Sequence, residues 1–225
     1  MKKIVTCMLV AALCIALFAA CGKKHEYEVG ENSKIELDDD NVVEVADGVK
    51  TEKDNIKVKF EIEDIGDIVM ELYPQYAPET VANFCDLVSK DFYTGITFHR
   101  VIPGFMAQAG DPTGTGTGGS EFKIKGEFKN NGFGKNTLKH ERGTVSMART
   151  NDPNSASSQF FICFDEVSYL DGDYAAFGKV IYGMSVVDEI GEATTDANDK
   201  PLVDVVIKKA SIITDEEFSK YPKEE

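Results

Sequence analysis

From Ile56 onward the apolar residues recur at every second position: Val58, Phe60 and Ile62 alternate with Lys57, Lys59, Glu61 and Glu63. Period two belongs to a strand with one face on a core and the other in water, so the chain is committed to a sheet-based fold. Ile65-Gly66-Asp67 turns the chain into a second strand, Ile68 to Tyr73, and the pair reads as a hairpin. After Pro74 the period lengthens. Val81, Phe84, Cys85 and Val88 fall at i, i+3, i+4 and i+7, Pro78 and Glu79 suit a first helical turn, and Gly95 lies beyond the end. Further strand-like runs cover Thr97 to Ile102, Phe105 to Ala109, Gly143 to Ala148, Gln159 to Phe164, Ala176 to Tyr182 and Val203 to Ile213. Met184, Val187 and Ile190 make a second short helix that Gly191 can stop. Many short strands with only two helices point to an antiparallel barrel or sandwich.

At 225 residues and 42% hydrophobic content the chain can bury one core of ordinary size and still carry unstructured sequence. The formal net charge of −15 argues against a nucleic-acid partner, because neutralising phosphates takes an excess of Lys and Arg. The N-terminal segment reads as an address. Lys2 and Lys3 precede an uncharged apolar run from Ile4 to Phe18, followed by Ala19-Ala20-Cys21. The run is short for a membrane span. The small-small-Cys ending resembles the lipobox of bacterial lipoproteins, which implies acylation of Cys21 and attachment to the outer face of the cell membrane. The alternative is an ordinary secretory signal cleaved nearby, with Cys21 a plain thiol. Cys7 and Cys14 fall inside the removed segment. The remaining pair, Cys85 on an apolar helix face and Cys163 in a strand, reads as two separately buried thiols.

Between Gly22 and Asp54 the chain is acid-rich, with Glu26, Glu28, Glu31, Glu36 and Asp38-Asp39-Asp40, and has no sustained apolar period. Such a composition buries too little to offset ordering entropy and reads as a tether, with a short strand available at Val42 to Val45. The glycine series Gly114, Gly116, Gly118 and Gly119 is not a phosphate loop. Ser120-Glu121-Phe122 follows it, without the Lys-Ser/Thr or the helix that such a loop requires. It reads as a surface loop whose backbone can approach something closely.

The run Phe98-His99-Arg100-Val101-Ile102-Pro103-Gly104-Phe105-Met106, then Gln108, Gly110 and Asp111, resembles the central signature of cyclophilins. Ser146-Met147-Ala148, Ser158-Gln159-Phe160-Phe161-Ile162, Leu170-Asp171-Gly172 and Phe177-Gly178-Lys179-Val180 follow in the family's order. The resemblance covers Ile56 to Ile213 and implies a mainly β fold: a closed eight-stranded antiparallel barrel capped by two helices, with peptidyl-prolyl cis-trans isomerase activity in a groove on its outer face. It further implies Arg100, Gln108 and Phe105 as catalytic residues, with Gln108 holding the Arg100 guanidinium. Substrate would be bound by Met106, Gly116, Ala148, Arg149, Gln159, Phe161, Tyr169, Leu170 and Tyr174. Tyr169 and Tyr174 stand where many members have Trp and His, and Arg149 replaces the usual Asn, which counts against tight cyclosporin binding.

The chemistry suits these residues. Amide resonance gives an X-Pro bond a rotation barrier of about 18–20 kcal/mol. In the twisted transition state that resonance is lost and the prolyl nitrogen gains a localised lone pair, so a donor aimed there stabilises the transition state above the planar ground state. Arg100 stays charged and presents a rigid fork of donors. No proton is transferred, and neither cofactor nor metal is called for. His25 lies in the tether, His140 in a Lys-His-Glu-Arg segment read as surface, and His99 beside Arg100 is read as structural.

The organisation expected is a lipoprotein signal peptide over residues 1–20, an acidic flexible tether with acylated Cys21 over 21–54, an isomerase domain over 55–214 and a charged tail over 215–225. The partners expected are proline-containing polypeptides and, through the lipid, a membrane, with the chain a monomer. The competing reading is a catalytically weak surface binding module or holdase on the same fold.

Overall fold

The computed structural model describes residues 55–223, together with the backbone of four short strands between residues 25 and 52. Residues 1–20 and Cys21 lie outside the described residues. Within the segment expected to be a tether, β1 (His25–Val29) pairs antiparallel with β2 (Ser33–Leu37), and β3 (Val42–Val45) with β4 (Val49–Glu52). Only β3 is anticipated by the sequence. The alternations Tyr27/Val29 and Ile35/Leu37 have the period of β5 but hold only two apolar residues each, too short a run to stand out as a strand.

The main sheet joins eight antiparallel strands in the order β12-β5-β6-β11-β9-β10-β8-β7. They are β5 (Ile56–Ile62), β6 (Gly66–Leu72), β7 (Arg100–Ile102), β8 (Met106–Ala109), β9 (Thr144–Met147), β10 (Phe160–Cys163), β11 (Ala176–Tyr182) and β12 (Ile207–Ile213). Every second residue of β5 is buried, as its period requires. The expected closed barrel is not formed: the sheet is an open half-barrel whose edge strands β12 and β7 do not pair. The chain just before each edge strand supplies a seam instead. Phe98 N–H donates to Val205 O at 2.9 Å and Ile207 N–H to Ile96 O at 2.8 Å, with a single bridge between Thr97 and Val206. β7 is only three residues long, and its Val101 N–H is donated to Asp199 O, at 2.8 Å, on the loop that leads to β12.

Helix α1 (Pro78–Ser89) places Val81, Phe84, Cys85 and Val88 in the core, and α2 (Met184–Gly191) does the same with Val187 and Ile190. The residue preceding α1, Ala77, has no capping side chain, and Glu127 serves from far along the chain. Its carboxyl accepts from Glu79 N–H at 3.0 Å, Thr80 N–H at 2.8 Å and the Thr80 hydroxyl at 2.7 Å, satisfying first-turn donors. Burial pushes the Glu127 carboxyl up to about 7 in spite of those donors.

A third helix, α3 (Asp215–Phe218), adds to the two expected and lies within the segment expected as a charged tail. Thr214 and Glu217 form a capping box, Lys57 Nζ pairs with Asp215 at 2.6 Å, and the Tyr221 hydroxyl donates to Asp67 at 2.8 Å. Asp215 and Tyr221 therefore tie this segment to the β5–β6 hairpin. Cys85 and Cys163 are unpaired and buried, as expected, and burial pushes both thiols up to about 12, which removes them as nucleophiles.

The centre of the core is aromatic. Phe84 lies within 4.9–6.1 Å, ring centre to ring centre, of Phe60, Tyr93, Phe160 and Phe177, all fully buried. Phe84→Ala should therefore cost about 3–5 kcal/mol, read as a lowered denaturant midpoint at unchanged slope.

Candidate active-site groove

The site is built on the sheet face opposite that core. Along β8, Ala107 and Ala109 join the main core while Met106 and Gln108 point the other way; along β10, Phe160 and Ile162 face the core and Phe161 and Cys163 the outside. Met106, Phe161, Cys163, Val167 and Leu170 thus form a second apolar cluster, with Phe105, Ala148 and Tyr174 packed on it. Register brings β7 alongside, setting Arg100 opposite Gln108 and Ile102 opposite Met106. The Pro103-Gly104 turn, with Gly104 at φ 73°, closes this hairpin and lets Phe105 N–H donate to Ile102 O at 3.0 Å.

The result is a cavity of about 130 Å³ lined by Arg100, Phe105, Met106, Gln108, Ala148, Arg149, Phe161, Leu170 and Tyr174. These are nine of the twelve groove residues named from the sequence. Gly116 and Gln159 line an adjoining cavity of about 430 Å³, which shares Gln108, Ala148 and Arg149 with the first. Tyr169 lines neither; it is 69% exposed, its ring 6.0 Å from that of Phe105.

Arg100 is half-exposed, and its Nε lies 3.5 Å from Asp199 Oδ2. The expectation that Gln108 holds this guanidinium is corrected. The Gln108 amide donates to Gln159 Oε1 at 2.8 Å, and Gln159 in turn donates to Gly118 O at 2.7 Å and Gly116 O at 3.1 Å. The physical reason is complementarity: a guanidinium is best matched by a carboxylate, while two amides can satisfy each other. Arg149, expected among the substrate-binding residues, has a tightly held side chain. Its guanidinium donates twice to Asp173 O, at 3.1 and 2.8 Å, and once to Thr150 O at 2.8 Å, with its plane over Tyr174 and Phe128 at 4.6 and 5.1 Å.

The glycine loop owes its shape to Asp111. This buried carboxylate accepts from the backbone N–H groups of Thr113, Thr115, Gly116 and Gly118, at 2.7–3.1 Å, and from the Thr113 hydroxyl at 2.8 Å. A Cβ on Gly118 would overlap it. Burial alone would raise the Asp111 carboxyl, but these donors hold it well below the usual carboxylate range. The close approach expected of the loop is thus to the protein's own anion.

Two histidines support the groove. His99 is buried, neither ring nitrogen has a hydrogen-bond partner among the described residues, and burial lowers its pKa. His140, read as a surface residue, is instead buried, while its exposed sequence neighbours Lys139 and Glu141 pair with Asp171 and Lys179. Its Nδ1 lies 3.0 Å from Asp171 Oδ1, its Nε2 3.0 Å from Ser146 Oγ, and its ring is stacked 6.1 Å from Phe161. Burial lowers its pKa, so the neutral ring donates from Nδ1 to the carboxylate and accepts from Ser146. Asp199 and Asp111 were missed as parts of the site. The turn signal Asp196-Ala197-Asn198-Asp199 could have flagged the first, and the position of Asp111 beside the glycines the second.

The Asp111 arrangement stabilises the fold only while the carboxyl is ionised. A depressed folded-state pKa contributes stability that is complete above the unfolded value, near about 3.9, and is lost as pH falls below it. Asp111→Asn should lower the melting temperature at neutral pH by about 3–10 °C, for a cost of about 1–3 kcal/mol. Its melting temperature should also fall less than the wild type's between pH 5 and pH 2, as followed by circular dichroism.

Comparison with known proteins adds the following. Residues 57–212 match the family described as cyclophilin type peptidyl-prolyl cis-trans isomerase/CLD. A protein of Emericella nidulans named peptidyl-prolyl cis-trans isomerase-like 1 is 42% identical over 153 residues, which is 66% of this chain and 90% of that one. A probable peptidyl-prolyl cis-trans isomerase of Brucella suis is 44% identical over 145 residues, 59% of this chain and 70% of its own. Among solved structures, a cyclophilin type peptidyl-prolyl cis-trans isomerase of Cryptosporidium parvum superposes with a TM-score of 0.66 at 32% identity, over 72% of this chain and 99% of its own.

Proposed function

Since the chain belongs to the cyclophilin-type peptidyl-prolyl cis-trans isomerases and is such an enzyme, we propose that Arg100 is the group that catalyses the rotation, and that the chain works on proteins outside the cytoplasm from a lipid on Cys21. The observation that carries the first part is the placement of a half-exposed guanidinium at the wall of a cavity of about 130 Å³ with an apolar floor. Phe105, Met106, Phe161 and Leu170 would receive the proline ring. By excluding water they strengthen a charged donor aimed at the prolyl nitrogen. The adjoining cavity, with Gln159 and Gly116, would take the flanking peptide.

The magnitudes are compatible. Uncatalysed exchange takes tens to hundreds of seconds, a rate near about 10⁻² s⁻¹. Reaching a common enzymatic turnover of about 10 s⁻¹ requires roughly 4 kcal/mol, at 1.36 kcal/mol per tenfold. One preorganised donor in a partly desolvated site is of that order.

The extracytoplasmic reading rests on the Lys2-Lys3 pair, the apolar run after it and Ala19-Ala20-Cys21. The acidic segment over residues 22–54 would space the isomerase domain from the anchor and let a monomer reach chains emerging across the membrane. Foldase work on such chains is the role this supports.

Arg100→Ala should lower kcat/KM on a proline peptide by about 10²–10³, with the melting temperature nearly unchanged because the side chain is half-exposed. Wild-type activity in that variant removes Arg100 from the mechanism. A wild-type chain that isomerises no X-Pro peptide yet captures a defined protein supports the binding-module reading instead. For the anchor, the native N-terminal peptide should carry the mass of an acylated Cys21, and Cys21→Ser should move the protein from the membrane to the soluble fraction.

A further inference from the structure

We infer that Asp199 is a positioning residue for the isomerisation: it holds the Nε edge of Arg100 so that the terminal N–H groups of the guanidinium face the groove. The inference rests on the reading of Arg100 given above. Its geometry comes from one contact and from the turn that delivers it.

The contact is the ion pair at 3.5 Å between Arg100 Nε and Asp199 Oδ2. A guanidinium presents five donors in a plane, and engaging it at Nε leaves both terminal nitrogens for a ligand. Gln108, the neighbour across the strand pair, is turned to Gln159, so the carboxylate is the partner that faces this side chain.

The turn is preorganised. Asp196 Oδ1 accepts from Asn198 N–H at 2.8 Å and Lys200 N–H at 3.0 Å, and Asp196 N–H donates to Lys200 O at 2.8 Å. Asp199 N–H donates back to Asp196 O at 3.1 Å. Asp199 itself sits at φ 63°, in the left-handed region that Asp and Asn tolerate better than other residues with a side chain. Its carbonyl accepts from Val101 N–H at 2.8 Å, which fastens the turn to the residue next to Arg100. Carboxylate and guanidinium are therefore referred to the same stretch of backbone, and neither needs to search for the other.

This arrangement serves orientation and not stability. The two side chains are 41% and 44% exposed, and ion pairs so open to water contribute little to folding. A long side chain on a three-residue edge strand nevertheless keeps several rotamers unless something selects one. Because the pair is exposed, salt should loosen it: the screening length shrinks from about 30 Å at 0.01 M to about 3 Å at 1 M, comparable with the pair's own separation.

The test measures kcat and KM for the full chain on a blocked, uncharged X-Pro peptide by exchange spectroscopy, from low to 1 M sodium chloride. It compares wild type, Asp199→Asn, Asp199→Gly and Arg100→Ala. Asn and Gly both accept the backbone conformation and keep the carbonyl that receives Val101 N–H. Both should lose about tenfold in kcat, with KM within about twofold, since misplacing a reacting group by about 1 Å costs about 10². Wild-type kcat should decline toward the variants' value as salt rises, while theirs stays flat. Unchanged or higher kcat in both variants, with Arg100→Ala inactive, overturns the inference while leaving Arg100 in place. So does a loss that tracks a lowered melting temperature and keeps the wild-type salt profile, which marks a structural role. Wild-type activity in Arg100→Ala removes the premise itself.

Discussion

The register between β8 and β10 is the constraint on which the rest of this molecule depends. Phe161 lies opposite Gln108 and Cys163 opposite Met106, so one face of the pair carries Phe160 and Ile162 into the core while the other carries Phe161 and Met106 outward. A slip of one residue would exchange the two sets. The core would then lose Phe160, which contacts Phe60, Phe84, Tyr93 and Phe98, and the groove would lose its apolar floor. Two consecutive phenylalanines are thus assigned to opposite tasks by the pleat alone, and burial of the first fixes the presentation of the second.

Around that floor the groove is assembled from buried polar contacts, each of which satisfies a group that would otherwise be costly. Asp111 gathers the glycine loop, and the loop's carbonyls at Gly116 and Gly118 in turn fix Gln159, whose amide oxygen fixes Gln108. On the other side His140, held between Asp171 and Ser146, lies flat behind Phe161. Asp111, with this many donors, stays ionised, and the buried His140 ring on the other side stays neutral, so neither supplies or removes protons near the groove. For a rotation that makes and breaks no bond to hydrogen, this is the appropriate electrostatic background.

Much of this was legible beforehand, for identifiable reasons. Period two in β5 and the i, i+3, i+4, i+7 spacing in α1 are local consequences of facing a core, and they were read directly. The groove residues were legible only through motif order, because a Phe or Met in a strand carries no sign of which face it occupies. What escaped was set by contacts distant in sequence. The pairing of Asp199 with Arg100 spans the turn before β12, the capping of α1 by Glu127 depends on a chain crossing, and His140 looks solvated until Asp171 and Phe161 are brought to it. The open seam between β7 and β12 was equally invisible, since an edge strand's length is decided by what competes for its N–H groups, here Asp199 O. The Thr214 capping box, by contrast, was present in the letters and simply lay beyond the last apolar period.

The placement of His99 bears on how Arg100 is aimed. It is the residue before Arg100 and is buried with both ring nitrogens unpartnered, an arrangement that is costly for a polar ring and far costlier for a charged one. Burial first, opposed by Asp111 and aided by the neighbouring Arg100 charge, keeps it neutral. Were it protonated, two adjacent cations would repel, and the guanidinium would be driven toward solvent and away from the cavity wall. A neutral His99 and an anionic Asp199 therefore leave the Arg100 charge without a second cation at its neighbour in sequence, while Arg149, which also lines the cavity, has its guanidinium committed to the carbonyls of Asp173 and Thr150. The direction of the Arg100 side chain is governed by its neighbours, so its catalytic contribution depends on aim more than on the amount of charge.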